Sequence, residues 1–370
     1  MRILYITTIG STMSFFTSFI AELMASGHTI DIATNESDKE VPEFYRNNKC
    51  KIYHIDTSRK PLSLGNIKAI WQIKCLVDKG GYDIVHCHTP LAAMCTRLAC
   101  IGARKRGTKL MYTAHGFHFY KGAPLKNWLI YFPIEWICSF LTDVLITINK
   151  EDYRLAKRDM HAKKTVYVPG VGIDTSRFRN NSNGDKIREE FGLDKNELIL
   201  LSVGELNENK NHQIVIRALA KIKQPYVYFV VGKGKLGDYL QKIAEELGVR
   251  LILTGFRNDV ADFYNAADIY ILPSIREGLN VSLMEAMASG LPCACGKIRG
   301  NIDLIDEDGG MLFDPSNEAN ITNALRKLLK SHNRTMGEHN SEKVLYFDKN
   351  EVNRKMLKLY KGICDEKNKR

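Results

Sequence analysis

Short apolar runs alternate with stretches of helical spacing along most of the chain. In the first half, runs rich in β-branched residues predict strands at 2–8, 29–34, 51–55, 83–88, 109–113, 144–148 and 165–168. A helix is predicted at 15–24, and a later segment repeats apolar residues at helical spacing, namely Ile67, Ile70, Trp71 and Cys75. Because strands that alternate with helices build parallel sheets covered on both faces, the pattern predicts an α/β fold.

The alternation restarts after a polar, turn-prone segment at 180–185, which we interpret as an interdomain linker. Further strands are predicted at 197–203, 226–231, 251–254, 269–272 and 291–295. The chain should therefore form two doubly wound Rossmann-like domains, 1–180 and 187–348, facing a cleft where the carboxyl ends of both sheets bind ligands. Residues 349–370 predict a terminal helix that could pack on either domain, with one apolar side: Met356, Leu357, Tyr360 and Ile363.

Composition favours two globular domains over a disordered chain. The 370 residues are 44% hydrophobic and 26% charged, and this length exceeds one ordinary domain. The nine cysteines show no paired framework, so we expect buried free thiols in a reducing compartment. No signal peptide is visible, and the most apolar segment, 129–148, is interrupted by Pro133, Glu135 and Asp143. We therefore expect a cytoplasmic protein without a membrane-spanning helix.

The formal net charge of +11 is concentrated in the first half of the chain. Residues 1–180 contain 25 Lys/Arg and 15 Asp/Glu, whereas residues 181–370 contain 28 and 27. A basic excess confined to one half favours an anionic partner there, such as a membrane surface, a lipid phosphate or nucleic acid. The alternative is ordinary solvated lysine.

Two glutamates, eight residues apart, follow the predicted strand at 269–272. Glu277 and Gly278 fall in a turn, and a helix is predicted to begin near Asn280, which places Glu285 in its second turn. A glycine at such a junction lets backbone N–H groups approach a ligand, and the helix start favours a diphosphate. Glu285 could then accept hydrogen bonds from ribose hydroxyls while Glu277 reaches the sugar. The alternative is a capped amphipathic helix with surface glutamates.

Three segments together resemble family 4 of the retaining GT-B glycosyltransferases. The spacing of Glu277 and Glu285 is similar to the family's E-x7-E signature, and the stretch from Gly204 to Lys210 looks like the loop whose lysine grips the nucleotide diphosphate. A third segment, which contains Phe256, Arg257 and Tyr264, is similar to the family segment that flanks the base of the nucleotide. The resemblance covers nearly the whole chain and implies donor contacts from Gly204, Lys210, Phe256, Arg257, Glu277, Gly278, Leu279, Asn280 and Glu285.

Glu205 departs from the family pattern. Many members place an arginine at this position, directly after the glycine, where it shares the diphosphate charge with the lysine. An acidic side chain there would repel a diphosphate, so we expect Glu205 to point elsewhere and Lys210 to carry more of the leaving-group charge. Catalysis is expected to rest on positioning and electrostatic stabilisation, with His115, Lys210 and Glu277 as the catalytic residues.

Polar residues at the ends of predicted strands supply candidate groups in the first half. His115 follows the strand at 109–113, and the resemblance places it near the donor sugar and phosphate. Gly10 follows the first strand and could bring backbone close to the acceptor or to the diphosphate of the donor. The acceptor side is expected to involve Ser11, Thr12, His86, His88 and His118. His86 and His88 share one face of a strand but lack the further ligands that zinc needs, so no metal and no other cofactor is expected.

Two motifs suggest other chemistry. Gly232, Gly234 and Gly237 form a G-x-G-x-x-G pattern after a predicted strand, but the acidic residue expected about 20 residues later is missing. Dinucleotide binding is therefore disfavoured. Asp306 and Asp308 could belong to an acidic metal motif, but they precede two glycines and are typical of a turn.

Aromatic and basic residues are concentrated between His115 and Trp136, and the run Arg104, Lys105, Arg106 lies shortly before them. This composition favours an interfacial element on an anionic membrane, although the aromatic residues could instead form the core of a helix. The amino-acid sequence of this region also looks like that of bacterial capsule and exopolysaccharide transferases.

These observations predict a retaining hexosyl- or N-acetylhexosaminyltransferase that uses a nucleotide-sugar, with UDP as the expected nucleotide. The expected acceptor is a polyprenyl-diphosphate-linked saccharide, and the enzyme would bind the inner face of the cell membrane peripherally through residues 1–180. Nucleic acid is not expected as a partner. Two other classes stay open: a GT-B-shaped sugar-nucleotide epimerase, and a non-catalytic scaffold that binds sugar or membrane.

Overall fold

The chain folds into two compact units, each built on a parallel sheet. The computed structural model describes residues 1–37, 40–58, 63–179, 184–330 and 334–368. The first unit comprises Met1–Val171 together with Val352–Arg370, and the second comprises Gly172–Glu351. Strands and helices alternate in both units, which confirms the predicted α/β class.

The first unit contains a seven-stranded sheet. Its strands are β1 Arg2–Ile6, β2 Thr29–Thr34, β3 Ile52–His54, β4 Ile84–His88, β5 Lys109–Ala114, β6 Val144–Thr147 and β7 Lys164–Tyr167. Their spatial order is β3-β2-β1-β4-β5-β6-β7, with parallel pairing throughout. The helices are α1 Thr17–Ala25, α2 Glu43–Asn47, α3 Leu64–Gly80, α4 Pro90–Ala99, α5 Ile101–Lys105, α6 Leu125–Ser139 and α7 Lys150–Asp159, and a 3-10 segment spans Gly10–Phe16.

The second unit contains a six-stranded parallel sheet. Its strands are β8 Leu198–Val203, β9 Tyr226–Val231, β10 Leu251–Gly255, β11 Ile269–Leu272, β12 Cys293–Gly296 and β13 Gly310–Phe313, in the spatial order β10-β9-β8-β11-β12-β13. The helices are α8 Thr175–Phe178, α9 Gly184–Glu190, α10 His212–Leu219, α11 Gly237–Glu246, α12 Val260–Ala266, α13 Val281–Ala288, α14 Asn301–Leu304, α15 Glu318–Lys330 and α16 Arg334–Lys343. A 3-10 segment, Val344–Phe347, precedes the terminal helix α17, Lys349–Asn368.

Strand β1 shows why the apolar runs are nearly continuous. Leu4 and Ile6 point into one hydrophobic core of the first unit, while Ile3 and Tyr5 point into a second core on the other face. A strand buried on both faces needs apolar side chains at successive positions, so alternation of polar and apolar residues is absent from its sequence.

The division between the units lies before the predicted boundary at residue 180. Ile173 forms a parallel bridge with Asp348, and the ring of Phe178 packs on Tyr264 with centroids 5.7 Å apart. These contacts assign the segment after Val171 to the second unit. Of the predicted linker, residues 180–183 lie outside the described residues, and residue 184 already begins α9.

Helix α17 packs on the first unit, which is one of the two alternatives that the sequence left open. Val352, Met356, Tyr360 and Ile363 are buried in the core that also contains Tyr5. The Tyr360 hydroxyl lies 2.8 Å from the Tyr5 hydroxyl. The apolar side of the helix, visible in the sequence, is therefore its buried side.

Strand β13 was not predicted from the sequence. It begins at Gly310, the second glycine of the pair that signals a turn, and its four residues are too short a run to reveal a strand. No helix in the described part of the chain is long and apolar enough to cross a bilayer.

The cysteines of the described residues, from Cys50 to Cys295, are free thiols, as expected.

Candidate active site

Two loops at the carboxyl ends of β8 and β11 carry the predicted donor residues of the second unit. We call residues 204–211 the lysine loop and residues 273–280 the glutamate loop. The backbone N–H of Ile275 donates to the carbonyl of Asn209 at 2.9 Å, and the Asn209 side-chain amide donates to the carbonyl of Arg276 at 3.0 Å. These hydrogen bonds hold the loops side by side.

Lys210 and Glu277 meet where the two loops touch. The ammonium nitrogen of Lys210 lies 2.8 Å from Glu277 Oε1, and the side chains are only 17% and 14% exposed. Partial removal from water strengthens the attraction between such charges. The structure thus joins the lysine predicted for the diphosphate to the glutamate predicted for the sugar.

Close backbone packing explains the glycines around the lysine loop. A β-carbon at Gly204 would lie 3.1 Å from Lys210 Cε, and one at Gly232 would lie 1.9 Å from the Gly204 carbonyl oxygen. A β-carbon at Gly234 would lie 2.6 Å from the Leu206 nitrogen. The G-x-G-x-x-G pattern therefore permits the turn after β9 to pack against the lysine loop, and it needs no dinucleotide.

Helix α13 is capped from within the glutamate loop. The Asn280 side chain accepts a hydrogen bond from the Leu283 N–H at 2.9 Å, as expected of an asparagine cap. Leu279 and Asn280 are buried. Gly278 approaches Gly300 so closely that a β-carbon at Gly300 would lie 2.1 Å from the Gly278 carbonyl oxygen. The N–H groups and dipole of a helix start favour an anion at this position.

Glu285 lies in the second turn of α13 and is partly buried. Its Oε2 accepts a hydrogen bond from the Tyr264 hydroxyl at 2.9 Å. Burial raises the pKa of Glu285 to about 6, although the bond from Tyr264 opposes the rise. An ionised carboxylate in this setting is a strong acceptor for neutral hydroxyl groups such as those of ribose.

Phe256 and Arg257 follow β10 and differ in their surroundings. The Phe256 side chain is 69% exposed, so its ring could stack on a flat ligand group. Arg257 instead forms ion pairs with Asp259 at 2.7 Å and with Glu190 at 2.8 Å. Its guanidinium is therefore already used within the unit, and a donor contact by Arg257 stays a prediction.

Three histidines form a chain of rings at the carboxyl ends of β4 and β5. His88 Nδ1 lies 3.1 Å from His115 Nε2, and the ring centroids of His86 and His88 are 4.2 Å apart. The prediction that His86 and His88 share one face is confirmed. Burial lowers the pKa of His86 to about 3 and that of His115 to about 4, so both rings are neutral at pH 7.

His86 and His88, which were predicted to line the acceptor side, are almost completely buried. Their exposed fractions are 0% and 1%. His86 Nδ1 lies 2.6 Å from the Tyr360 hydroxyl, and His86 Nε2 lies 2.8 Å from Thr113 Oγ1. Both nitrogens of His86 therefore have hydroxyl partners inside the core, and its assignment to the acceptor side stays a prediction.

Thr12 and His118 line an open cavity of about 260 Å³ beside α4. The other walls come from Thr8, Ile9, Thr89, Pro90, Leu91 and Tyr131. The His118 ring stacks on Tyr131 with centroids 4.5 Å apart. Ser11 is partly exposed next to Thr12, whereas Gly10 is buried and donates its N–H to the Asn35 carbonyl at 3.0 Å. The backbone donor of Gly10 is therefore used within the unit.

Both halves of the chain match known families. Residues 183–343 match the family described as Glycosyl transferases group 1, and residues 2–149 match the family described as Glycosyl transferase 4-like. EpsD of Bacillus subtilis, which carries the name of a glycosyltransferase, is 36% identical over 324 residues, covering 85% of each chain. The chain belongs to the family 4 glycosyltransferases.

One further relative and two solved structures are also similar to this glycosyltransferase. The UDP-Gal:α-D-GlcNAc-diphosphoundecaprenol α-1,3-galactosyltransferase of Escherichia coli is 29% identical over 295 residues, covering 76% of this chain and 75% of that one. Sucrose-phosphate synthase from Thermosynechococcus elongatus shares the fold with a TM-score of 0.82 at 20% identity, covering 99% of both chains. WaaG, a glycosyltransferase of lipopolysaccharide biosynthesis, gives 0.73 at 19% identity, covering 96% and 98%. The GT-B architecture is confirmed.

Among its described residues, the glycosyltransferase has a group of three that could hold a metal ion: Asp306, Asp308 and His339. Lys343 already places its ammonium 2.5 Å from Asp306, and His339 Nε2 lies 2.9 Å from the same carboxylate. The Gly309 N–H also donates to Asp306. These contacts fit the predicted turn, with the lysine supplying the positive charge.

Two side chains at the donor loops of the glycosyltransferase were missed in the sequence, and the role of a third, Tyr264, was not foreseen. Tyr264, on α12, bonds to Glu285, and Asn209 joins the two loops. Arg299, which is 6% exposed, donates from Nε to the Glu277 carbonyl oxygen at 3.2 Å. Arg299 follows β12 closely, so the rule that ligands bind beyond the carboxyl ends of strands could have identified it. The other two act through contacts that no sequence spacing reveals.

Proposed function

We propose that this enzyme transfers a sugar from a UDP-sugar to a saccharide carried on a lipid diphosphate, with retention and without a metal ion, in capsule or exopolysaccharide synthesis. The observation that carries the proposal is the contact between Lys210 and Glu277 beside the capped start of α13. The E. coli relative is named for a UDP-Gal donor and a diphosphoundecaprenol-linked acceptor. A Campylobacter jejuni relative, 29% identical over 185 residues, is also named for a diphospho-undecaprenol acceptor.

The donor site is proposed to divide its work among three side chains. Lys210 and the N–H groups at the start of α13 neutralise the diphosphate. Glu277 keeps its ion pair with the lysine through Oε1, and its other carboxylate oxygen accepts hydrogen bonds from sugar hydroxyls. Glu285, held by Tyr264, accepts hydrogen bonds from the ribose. A site built in this way contacts the sugar, the diphosphate and the ribose of a nucleotide-sugar with groups present in the chain.

The chemical step is proposed to depend on stabilising the departing diphosphate. As the bond between the sugar and the phosphate oxygen breaks, negative charge grows on that oxygen. A cation fixed beside it lowers the energy of the transition state more than that of the bound donor. Lys210 is fixed by its ion pair and by the packing of Gly204 on its side chain, so little reorganisation is needed.

Two helices of the first unit present apolar side chains to solvent, and we propose that they contact an anionic membrane. The most exposed are Leu64, Ile67 and Trp71 on α3, at 81%, 66% and 66%, and Leu125, Leu129, Ile130 and Ile137 on α6, at 73%, 68%, 48% and 56%. Both helices pack against α4, and their other sides enter one shared core. Such a large exposed apolar area suits an interaction surface, and the basic excess of residues 1–180 favours anionic lipid.

The basic run at Arg104–Arg106 contributes less to this surface than the sequence suggested. Arg104 forms two hydrogen bonds to Asp143, at 2.9 and 3.0 Å, and the two side chains are 14% and 8% exposed. Arg106 pairs with Asp78. Since these charges are already neutralised within the unit, the membrane test belongs on α6.

Replacing Leu129 and Ile137 together with serine should weaken binding to vesicles containing anionic lipid. Each apolar side chain that enters the lipid boundary contributes about 1.5 kcal/mol or more, so the double change should cost roughly a hundredfold or more in affinity. Cosedimentation measures the effect, and binding should also weaken with salt because charges are screened over about 8–10 Å. Serine at Tyr239 and Leu247, which are 42% and 40% exposed in the second unit, is the matched control. Equal vesicle binding by both double variants would contradict the assignment.

The proposed reaction is tested with radiolabelled UDP-sugars, with and without undecaprenyl-diphosphate-linked saccharide, in buffer containing EDTA. UDP-galactose, for which the E. coli relative is named, serves as the first donor probe. We expect label to enter the lipid fraction only when the acceptor is present, and without added metal, because Lys210 supplies the positive charge. Formation of an epimer without acceptor would instead indicate an epimerase. Loss of transfer in EDTA, restored by magnesium or manganese, would contradict the metal-independent mechanism.

A further inference from the structure

His88 is a buried histidine whose ring is held on three sides. It stacks on Tyr5 with centroids 5.4 Å apart and planes 17° apart, and the rings of Phe16 and His86 lie 4.3 and 4.2 Å away. Close packing of this kind leaves a side chain little freedom to change rotamer. Its Nδ1 is therefore held towards His115, whose Nε2 lies 3.1 Å away.

The hydrogen bond between these rings decides which nitrogen of His115 carries the proton. Burial lowers the pKa of His115 to about 4 and that of His88 well below its ordinary value, so both rings are neutral at pH 7. A neutral imidazole has one N–H and one acceptor nitrogen. Either His88 donates from Nδ1 to His115, or His115 donates from Nε2 to His88.

The surroundings of the other His88 nitrogen favour the first arrangement. Within the described residues, no protein group forms a hydrogen bond with His88 Nε2. If His115 were the donor, the single proton of His88 would lie on Nε2, as a buried N–H without an acceptor. An orphaned N–H is rarer and more costly than an acceptor with an unused lone pair. The proton of His88 is therefore on Nδ1.

We infer that His88 is a positioning residue that fixes His115 as the tautomer protonated on Nδ1. The inference rests on the proposed function and on the family resemblance, which implies that His115 lies near the donor sugar and phosphate. Among the described residues, His115 Nδ1 has no hydrogen-bonding protein partner, and the ring lines a cavity of the first unit. A fixed N–H suits phosphate or sugar oxygens, whereas a bare nitrogen would repel a phosphate.

Two substitutions separate this role from simple packing. His88→Asn keeps an N–H donor near the position of Nδ1 but removes the ring, whereas His88→Phe keeps the ring and removes the donor. Nitrogen-15 NMR locates the proton on His115, and turnover is measured with UDP-galactose and undecaprenyl-diphosphate-linked saccharide. We expect the proton on Nδ1 in the wild type and in His88→Asn. His88→Phe should show both tautomers and a turnover lower by about two- to tenfold, the range for one neutral hydrogen bond.

His86→Phe is the matched control, because His86 belongs to the same stack of rings but bonds to Tyr360 and Thr113. It should leave the proton of His115 on Nδ1. A wild-type proton on Nε2 of His115 would overturn the inference without any variant, even if His88→Phe failed to fold. An unchanged tautomer of His115 in folded His88→Phe would also overturn the inference. A changed tautomer with unchanged turnover would confirm the positioning by His88 and remove His115 from the proposed reaction.

Discussion

Lys210→Ala should lower turnover by about 100- to 1000-fold while the protein stays folded, because one preorganised donor to a developing negative charge typically contributes that much. Binding of UDP should fall far less, since the charge on the leaving oxygen grows mainly in the transition state. Turnover with saturating UDP-galactose and lipid-linked acceptor, compared with UDP affinity from calorimetry, separates the two effects.

The control for this change is Lys235→Ala, which removes a lysine from an exposed ion pair with Glu208, where the side chains are 70% and 67% exposed. It should leave turnover unchanged, because exposed ion pairs contribute little. Circular dichroism checks the fold of both variants. Near-normal turnover in folded Lys210→Ala would move the diphosphate site away from the lysine loop and contradict the proposed mechanism.

Glu205 increases the effect expected from the loss of Lys210. The Glu205 side chain is exposed, and its orientation relative to a diphosphate stays a prediction. No arginine at this position shares the charge, so the loss of Lys210 should have a larger effect here than in members that carry one. Glu205→Arg in the Lys210→Ala background should recover part of the turnover if the position faces the diphosphate.

The contact between Lys210 and Glu277 shows what sequence could and could not predict. Each residue was found from its local pattern, because a strand, a glycine and a helix start leave a recognisable signature. Their contact joins residues 67 positions apart, and it depends on Asn209 bridging the loops, which no local pattern reveals. The residue types of the site were therefore predictable, whereas its internal pairing required the fold.

For the histidines, the sequence predicted the shared strand face but could not predict its burial. His86 and His88 were correctly placed on one strand face, since side chains alternate along a strand. Sequence alone could not show that this face turns into the core, where helix α17, more than 270 residues away in the chain, supplies the hydroxyl of Tyr360 to His86. Burial of a polar side chain depends on long-range packing, so a polar residue at a strand end does not by itself identify a binding surface.

Glu285→Gln should weaken binding of UDP-galactose by roughly tenfold or more at pH 7.5. The change keeps the shape and the hydrogen bond from Tyr264 but removes the charge, and hydrogen bonds to charged groups are worth about 1.5–3 kcal/mol. Calorimetry measures the affinity. The control is Glu246→Gln, an exposed glutamate on α11 that pairs with Lys242 and should leave donor affinity unchanged.

Glu285→Gln should also stabilise the fold at high pH. Burial raises the pKa of Glu285 to about 6 from an ordinary value of 4.5, so the folded protein holds this proton more tightly than the unfolded chain. Stability is therefore lost as the pH rises through that window and stays at the lower level above it. Since glutamine does not ionise, Glu285→Gln should raise the free energy of unfolding at pH 8 by up to about 2 kcal/mol, with no gain below pH 4.5.

The pH dependence of donor binding then distinguishes a ribose-binding carboxylate from a structural one. Wild-type affinity for UDP-galactose should fall as the pH drops through about 6, because protonation removes the charged acceptor, whereas Glu285→Gln should be insensitive over this range. UDP-galactose is the better probe because both ends of its diphosphate are esterified, while the terminal phosphate of UDP itself titrates near pH 6. If Glu285→Gln gains stability but binds the donor as tightly as the wild type, the carboxylate is a partly buried charge that destabilises the fold without contacting the donor. The ribose contact would then have to come from another residue of the second unit.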